Sequence, residues 1–368
     1  MKKIGIISIH YGVNFGSALQ AVAMYQYLNR QVPDGLIEVI NYIPPRFTLK
    51  TRLRAAMKGS PKKAAHGIVR LIRFELTNNL YKRYLNKMLS LSAPFYEIDT
   101  LKQRYADYDY LIAGSDQIWN SDYNRGIDPV YYLQFASKTT KKIAYAASFG
   151  KEVIDAEEWD TLRNYLVDFK GISLRERTAV DMMSEAGIES SHFVLDPTFL
   201  LNRDEWEEYE KEVPGCPKDY LLIYFLDVKG EDIIQLANRI AAERDLKTVL
   251  IMNGQSNKVL KNFHVDFIAH NLTPDFYIWL FRHASYIVTN SFHGVSFSIN
   301  MERQFVALKR EKYNSRLDSI LTAMGLLDRY AETSSYEVKR EINYQEVNKI
   351  KESLLHSSKR FLDEALDL

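Results

Sequence analysis

The sequence predicts an α/β protein of two domains, each a parallel sheet wrapped by helices, with a long helix at the C-terminus. Three observations predict it. Strand-like runs rich in Ile, Val, Tyr and Leu alternate with segments of helical period along nearly the whole chain. The alternation comes in two series, separated by a polar, turn-rich stretch from Asp204 to Asp219 that holds Pro214-Gly215 and Pro217. And 368 residues, at roughly 150 per domain, suffice for two.

In the first series, strands are expected at 3–9, 36–42, 108–113, 142–147, 172–174 and 193–195, with helices at 16–29, 156–169 and 177–186. The second series has strands at 220–226, 248–252, 286–289 and 304–308, and helices at 231–243, 274–283 and 295–300. Runs this apolar suit strands covered on both faces. The expected domains are 1–203 and 218–335, followed by 336–368, whose residues Val347, Ile350, Leu354, Leu355, Phe361, Leu362 and Leu366 describe one helix packing across both. One segment leaves the alternation. Residues 46–87 carry twelve Lys or Arg and a single acid, Glu75, with Ile68, Leu71, Ile72 and Leu76 at helical spacing. A basic amphipathic hairpin inserted over 46–95 is expected. It reads either as a solvated cover for the first sheet or as a dock for anionic lipid head groups.

Composition narrows the function classes. Hydrophobic residues at 46% and charged residues at 26% exclude a disordered or collagen-like chain. A net charge of +1 gives no global field toward nucleic acid. The one cysteine, Cys216, excludes an internal disulfide, a thiolate zinc site and an iron–sulfur cluster, and fits a reducing cytoplasm. Residues 1–10 read as a first strand and not as a signal peptide, because the apolar run is short and no small-residue cleavage site follows. No stretch approaches the roughly 20 apolar residues of a spanning helix.

In open α/β sheets, ligands bind at the carboxyl ends of strands. After the first strand come Asn14, Gly16 and Ser17, which form either an anion cradle or a plain helix cap; the dinucleotide pattern GxGxxG is absent. The strand 108–113 runs into Gly114-Ser115-Asp116-Gln117-Ile118-Trp119-Asn120. There Gly114 can admit a ligand whose hydroxyls Asp116, Gln117 and Asn120 read, or Ser115 and Asp116 cap a turn and Trp119 plugs the core. Arg175-Glu176-Arg177 offers guanidiniums for two-pronged capture of carboxylate or phosphate, or a packed arginine beside a surface pair. Asp196, before Pro197, reads equally as turn former and as functional acid. The densest group is Asn290-Ser291-Phe292-His293-Gly294, where a histidine meets a helix start that favours the neutral ring and Ser291 with the following N–H groups can hold an anion. The other histidines show no ligand spacing such as HxxxH, so no metal site is expected.

The motifs at 14–20, 114–120, 147–150, 175–176, 195–198 and 289–294, with Asn314-Ser315-Arg316 and Met324-Gly325-Leu326 after them, together resemble the polysaccharide pyruvyl transferase family over about residues 4–330. The resemblance implies two facing Rossmann-like domains in the GT-B manner with the site between them. It implies transfer of a pyruvyl group from phosphoenolpyruvate to two hydroxyls of a sugar, giving a cyclic ketal and phosphate, with no other cofactor. The family's active-site histidine and arginine map onto His293 and Arg175. Our reading adds Ser291, Asn290, Gly294 and Arg316 as donor-binding groups, and Asn14, Gly16, Ser17, Gly114, Ser115, Asp116 and Gln117 as acceptor- or anion-binding groups. The expected partner is a sugar or lipid-linked oligosaccharide, met in the cytoplasm at the inner face of a membrane through 46–87, and not nucleic acid. Two rivals share the layout: a glycosyltransferase using a nucleotide sugar, and a non-catalytic carbohydrate-binding relative.

Overall fold

The computed structural model describes residues 1–226, 230–252, 260, 262–310, 314–338 and 340–368. Its strands form two sheets of six. The first holds β1 (Lys3–Ile7), β2 (Leu36–Val39), β3 (Tyr110–Ala113), β4 (Lys141–Ala147), β5 (Phe169–Leu174) and β6 (Ser191–Phe193), in the order β2-β1-β3-β4-β5-β6. The second holds β7 (Tyr220–Tyr224), β8 (Lys247–Ile251), β9 (Phe267–Ala269), β10 (Tyr286–Thr289), β11 (Gln304–Leu308) and β12 (Tyr330–Ala331), in the order β12-β11-β10-β7-β8-β9. Neighbouring strands pair in parallel throughout both sheets. Every residue of β3, β7 and β10 is buried, as strands with helices on both faces require. Strand order reverses between β1 and β3 in one sheet and between β7 and β10 in the other. At such a reversal the loops part in opposite directions and open a crevice at the strand C-termini.

The two sheets share one apolar core. The Phe15 ring, at the start of the helix Phe15–Gln31, stacks on Tyr277 of the second half with centroids 4.9 Å apart, and Trp206 packs on Phe297 at 5.3 Å. Buried Asn300 donates to the carbonyls of Thr198 (2.9 Å) and Leu201 (2.8 Å), fixing the connection between halves. The C-terminal helix Tyr344–Leu366 starts on the second half, where the Tyr344 hydroxyl donates to Ser298 O. It ends on the first, where Ser358 Oγ accepts from Leu195 N at 2.9 Å and Asp367 pairs with Lys141 at 2.7 Å.

Residues 46–87 do form a hairpin, of the helices Leu49–Ala56 and Pro61–Met88. Arg52 pairs with Glu75 across it at 2.7 Å. Gly67 lets the helices touch: a Cβ there would lie 2.2 Å from Ala56 O.

Elements differ from expectation where local pattern is weak. β9 and β12, three and two residues long, are too short for a period of two to register. The expected strand 3–9 stops at Ile7 because Ser8 Oγ turns to Ser115 O (2.7 Å) and Ser8 O takes the His10 ring (3.0 Å). The helix expected over 156–169 shrinks to Trp159–Leu166, since Phe169 is already paired with Lys142 in β5. The helices Ile98–Arg104 and Ser315–Ala323 were not expected.

Candidate active site

Both crevices face the same point. From the first sheet, the loops after β1, β3, β5 and β6 bring Ser17, Ser115 with Asp116, Arg175 with Glu176, and Asp196. From the second, the turns after β10 and β11 bring His293 and Arg316.

Asp196 is the centre of this group. Its Oδ1 accepts from Thr198 N (3.0 Å) and Thr198 Oγ1 (2.8 Å), which makes it the turn former its place before Pro197 suggests. Its Oδ2 accepts from Arg175 Nη1 (3.0 Å) and Ser115 Oγ (2.7 Å), and lies 3.8 Å from His293 Nε2. Residues 175 and 293, from opposite halves, therefore meet on one carboxylate oxygen.

Arg175 is wholly covered. Beyond Asp196, its Nη2 donates to Asp116 Oδ1 (3.3 Å), its Nε lies 3.6 Å from Glu176 Oε1, and the guanidinium stacks over the Phe292 ring at 4.4 Å. Burial alone would drive this guanidinium toward deprotonation, but Asp116, Asp196 and Glu176 outweigh it and hold the proton more firmly. Asp116 takes a left-handed backbone (φ 76°) that turns its carboxylate toward Arg175 and Ser17, and Ser17 Oγ donates to it. Burial pushes both aspartates up, yet Arg175 and the imidazole beside them hold each below the ordinary carboxylate range. Glu176 goes the other way: burial pushes it up, and Arg175 does not fully compensate.

His293 is in the first turn of the helix Phe292–Asn300, which starts three residues earlier than expected because the Ser291 hydroxyl caps it by accepting from Gly294 N. That hydroxyl also hydrogen-bonds the Tyr224 side chain. His293 Nε2 is buried and has no hydrogen-bond partner. Burial depresses the imidazolium more than Asp196 and Asp116 favour it, so the ring is neutral near pH 7. Arg316, in the first turn of the helix Ser315–Ala323, is also buried, with no hydrogen bond or ion pair among the described residues. Burial first, and then Arg175, push it down to about 10.

The remaining expected residues make other contacts. Asn14 caps the helix Phe15–Gln31 through Ser17 N at 3.3 Å. Gly114 is packed against Ser8. Gln117 turns away, accepting from Asn120 Nδ2 at 2.8 Å. Asn290 Oδ1 accepts from Leu226 N at 3.0 Å, bracing the β7–β10 crevice. Gly294 is a contact glycine, since a Cβ there would lie 2.3 Å from Thr289 Oγ1. In the sequence Asp196 reads equally as turn former and acid, and Glu176 is not among the expected site residues; the available signal is that both close strands of the same sheet. Among the described residues, no cluster of three or more His, Cys, Asp or Glu is arranged to hold a metal ion.

Gly16 sets the position of the imidazole. A Cβ built on it would lie 2.1 Å from His293 Cγ and Nδ1, so an alanine must push the ring away or part the halves. Gly16→Ala is expected to lower turnover about 100-fold, the effect of misplacing a reacting group by an ångström, while the better helix propensity of alanine offsets part of the strain. Turnover in the variant within threefold of the unmodified protein would show that the contact does not position the ring.

No curated protein matches this chain. Among solved structures, UDP-N-acetylglucosamine 2-epimerase from Rickettsia bellii superposes with a TM-score of 0.52 at 12% identity, covering 100% of this chain and 96% of that one. UDP-GlcNAc 2-epimerase from Methanocaldococcus jannaschii gives 0.50 at 11% identity, covering 96% and 92%. A UDP co-structure of MnaA from S. aureus gives 0.50 at 13%, covering 99% and 91%. At these identities the likeness shows the fold alone: two parallel α/β halves in the GT-B manner. The sequence model of the polysaccharide pyruvyl transferases matches residues 14–312, a span that contains the Asp116, Arg175, Asp196 and His293 cluster, and this chain belongs to that family of transferases.

Proposed function

We propose that the protein transfers the pyruvyl group of phosphoenolpyruvate to two hydroxyls of a sugar in a polysaccharide precursor, forming a ketal and releasing phosphate. The observation that carries this reading is a pair of buried nitrogens without hydrogen-bond partners, His293 Nε2 and Arg316 Nε, on side chains whose charged forms burial disfavours. A burial this costly makes sense where an anionic, proton-accepting ligand completes the site. In this reading Arg316 and the N–H groups at the start of the helix Phe292–Asn300 grip the donor's anionic groups. Arg175, already held by three carboxylates, positions Asp196 and Asp116.

The chemistry balances as follows. His293, protonated once the donor's negative charge is beside it, gives a proton to C3 of the enol ester. The electron-poor C2 takes the oxygen of one sugar hydroxyl, and the C2–O bond to phosphate breaks. The second hydroxyl oxygen then bonds to C2. Of the two hydroxyl protons, one restores the imidazolium and one leaves with phosphate or solvent. Asp196, 3.8 Å from Nε2, steadies the imidazolium. The test is phosphate release from phosphoenolpyruvate across galactose-, glucose- and mannosamine-containing acceptors, with nucleotide sugars alongside. Release that depends on acceptor is expected; glycosyl transfer from a nucleotide sugar, without phosphate release, would overturn the reading.

The acceptor in this reading is lipid-linked. No helix of the described residues is long and apolar enough to cross a membrane, but the basic hairpin exposes Leu49, Leu53 and Met57 on one helix and Val69, Ile72, Leu76 and Leu80 on the other. Apolar side chains inside a field of lysine and arginine suit the surface of an anionic bilayer. Sedimentation with phosphatidylglycerol vesicles is expected at low salt and to weaken as salt rises; indifference to vesicles would remove this part of the reading.

A further inference from the structure

Beside the reaction centre lies a second feature that the chemistry does not use. A cavity of about 220 Å³ opens between the loop after β1 and the C-terminal part of the helix Pro61–Met88. His10, Asn78, Tyr81 and Leu85 are its buried members, Tyr11 and Asn41 stand half-buried beside them, and Lys82 is exposed. Tyr81 keeps a buried hydroxyl with no hydrogen-bond partner. Asn78 has only a long contact to Glu75, 3.4 Å, and Lys82 has no ion-pair partner among the described residues.

We propose that this cavity binds one pyranose ring of the acceptor, next to the ring that receives the ketal; the inference rests on the pyruvyl-transfer reading for the second ring, but not for sugar binding itself. The exposed lining tyrosine, Tyr96, offers a ring to the C–H face of a sugar, and amide groups both donate to and accept from its hydroxyls. Its volume is below the roughly 300–1,000 Å³ of pockets that enclose larger ligands, which suits a single ring. Placement fits as well. Gly12 lines the cavity and Gly16 touches His293, and four residues of chain span at most about 14 Å, a reach that a short oligosaccharide covers. No carboxylate lines the cavity, so a sugar bearing a free ammonium group has no counter-charge there, whereas a neutral or acidic ring does not need one.

Saturation-transfer NMR on the full chain tests this, using methyl glycosides of galactose, glucose and N-acetylmannosamine, with methyl glucosaminide and uridine as contrasts. At least one neutral glycoside is expected to receive saturation, and methyl glucosaminide none. Asn78→Ala should weaken the signal about fivefold, the usual effect of one lost hydrogen bond. Asn86→Trp, at an exposed lining position where folding is not at stake, should abolish it by filling the opening. Saturation of uridine alone, of no glycoside, or of a glycoside undisturbed by Asn86→Trp would overturn the proposal. The two readings fail separately. Sugar binding that survives without any phosphate release removes the reaction and keeps the cavity. Phosphate release with an unchanged acceptor KM in Asn86→Trp removes the cavity and keeps the reaction.

Discussion

Replacing His293 with alanine is expected to lower turnover by about 10²–10⁴ while the fold persists. The ring occupies a first-turn position whose cap is made by Ser291 and Gly294, not by the imidazole, and its Nε2 holds no hydrogen bond that folding would miss. The same geometry fixes the pH response. Burial keeps the folded-state imidazolium below its ordinary value of 6.5, so the ring is neutral at pH 7. The proposed donor, bringing carboxylate and phosphate, is expected to raise that value. Donor binding at pH 7 should therefore draw a proton from solution, seen as a binding heat that depends on the buffer's ionisation heat, and His293→Ala should lose that uptake. For an acid that must be charged, kcat/KM for the donor falls as pH rises past the depressed value of the free protein, and kcat falls only at the higher pH set by the complex. Proton uptake equal in the variant and the unmodified protein, or near-normal turnover, would remove His293 from the chemistry. Stability carries the opposite sign. A depressed histidine stabilises the fold above pH 6.5 and costs stability as pH falls below it, because the unfolded chain then takes up protons that the folded chain refuses. His10, also depressed by burial, adds to the same loss.

How much of this was legible beforehand divides along physical lines. The parallel architecture was, because buried strands of four to seven residues leave long apolar runs between helical periods; the edge strands β9 and β12 were not, because they are too short to leave any. The loops after β1, β3, β5 and β10 stood out by their glycine and polar density, and the structure brings residues from all four to one point. The roles within the cluster were not legible. Arg175 read either as a clamp or as a packed arginine, and sequence did not show the three carboxylates that surround it. Asp196 read as no more than an even choice, because a residue before proline forms turns whether or not its second oxygen meets an arginine and a histidine. Such facts depend on which strands become neighbours, and β6 reaches the crevice only through pairing with β5. Gly16 read as part of an anion cradle or a plain helix cap; only the opposing half supplies the ring that makes its missing Cβ matter.

Arg316→Met should separate stability from function. Arginine in the first turn of a helix opposes the helix dipole, and here it is also buried without an ion pair, which brings its ordinary value of 12.5 down to about 10. A buried charge of this kind costs folding energy, and replacing it by an apolar chain of similar length is commonly neutral or stabilising. In the absence of added donor, the Arg316→Met variant is thus expected to melt at the same temperature as the unmodified protein or higher. Its affinity for phosphoenolpyruvate should fall by about 10²–10³, as when one side of a buried charge pair is removed. Donor should raise the melting temperature of the unmodified protein and leave the variant's unmoved, since only a ligand that binds the folded state shifts it. Were Arg316 an ordinary structural residue, the signs would reverse: the variant would melt lower and hold the donor as before. That outcome would leave Arg175 to meet the donor, and it could do so only by releasing one of the carboxylates that hold it, so donor binding would then expose Asp116 or Asp196 and shift its titration upward. Of the two arginines, only Arg316 can receive an anion with no existing bond broken first.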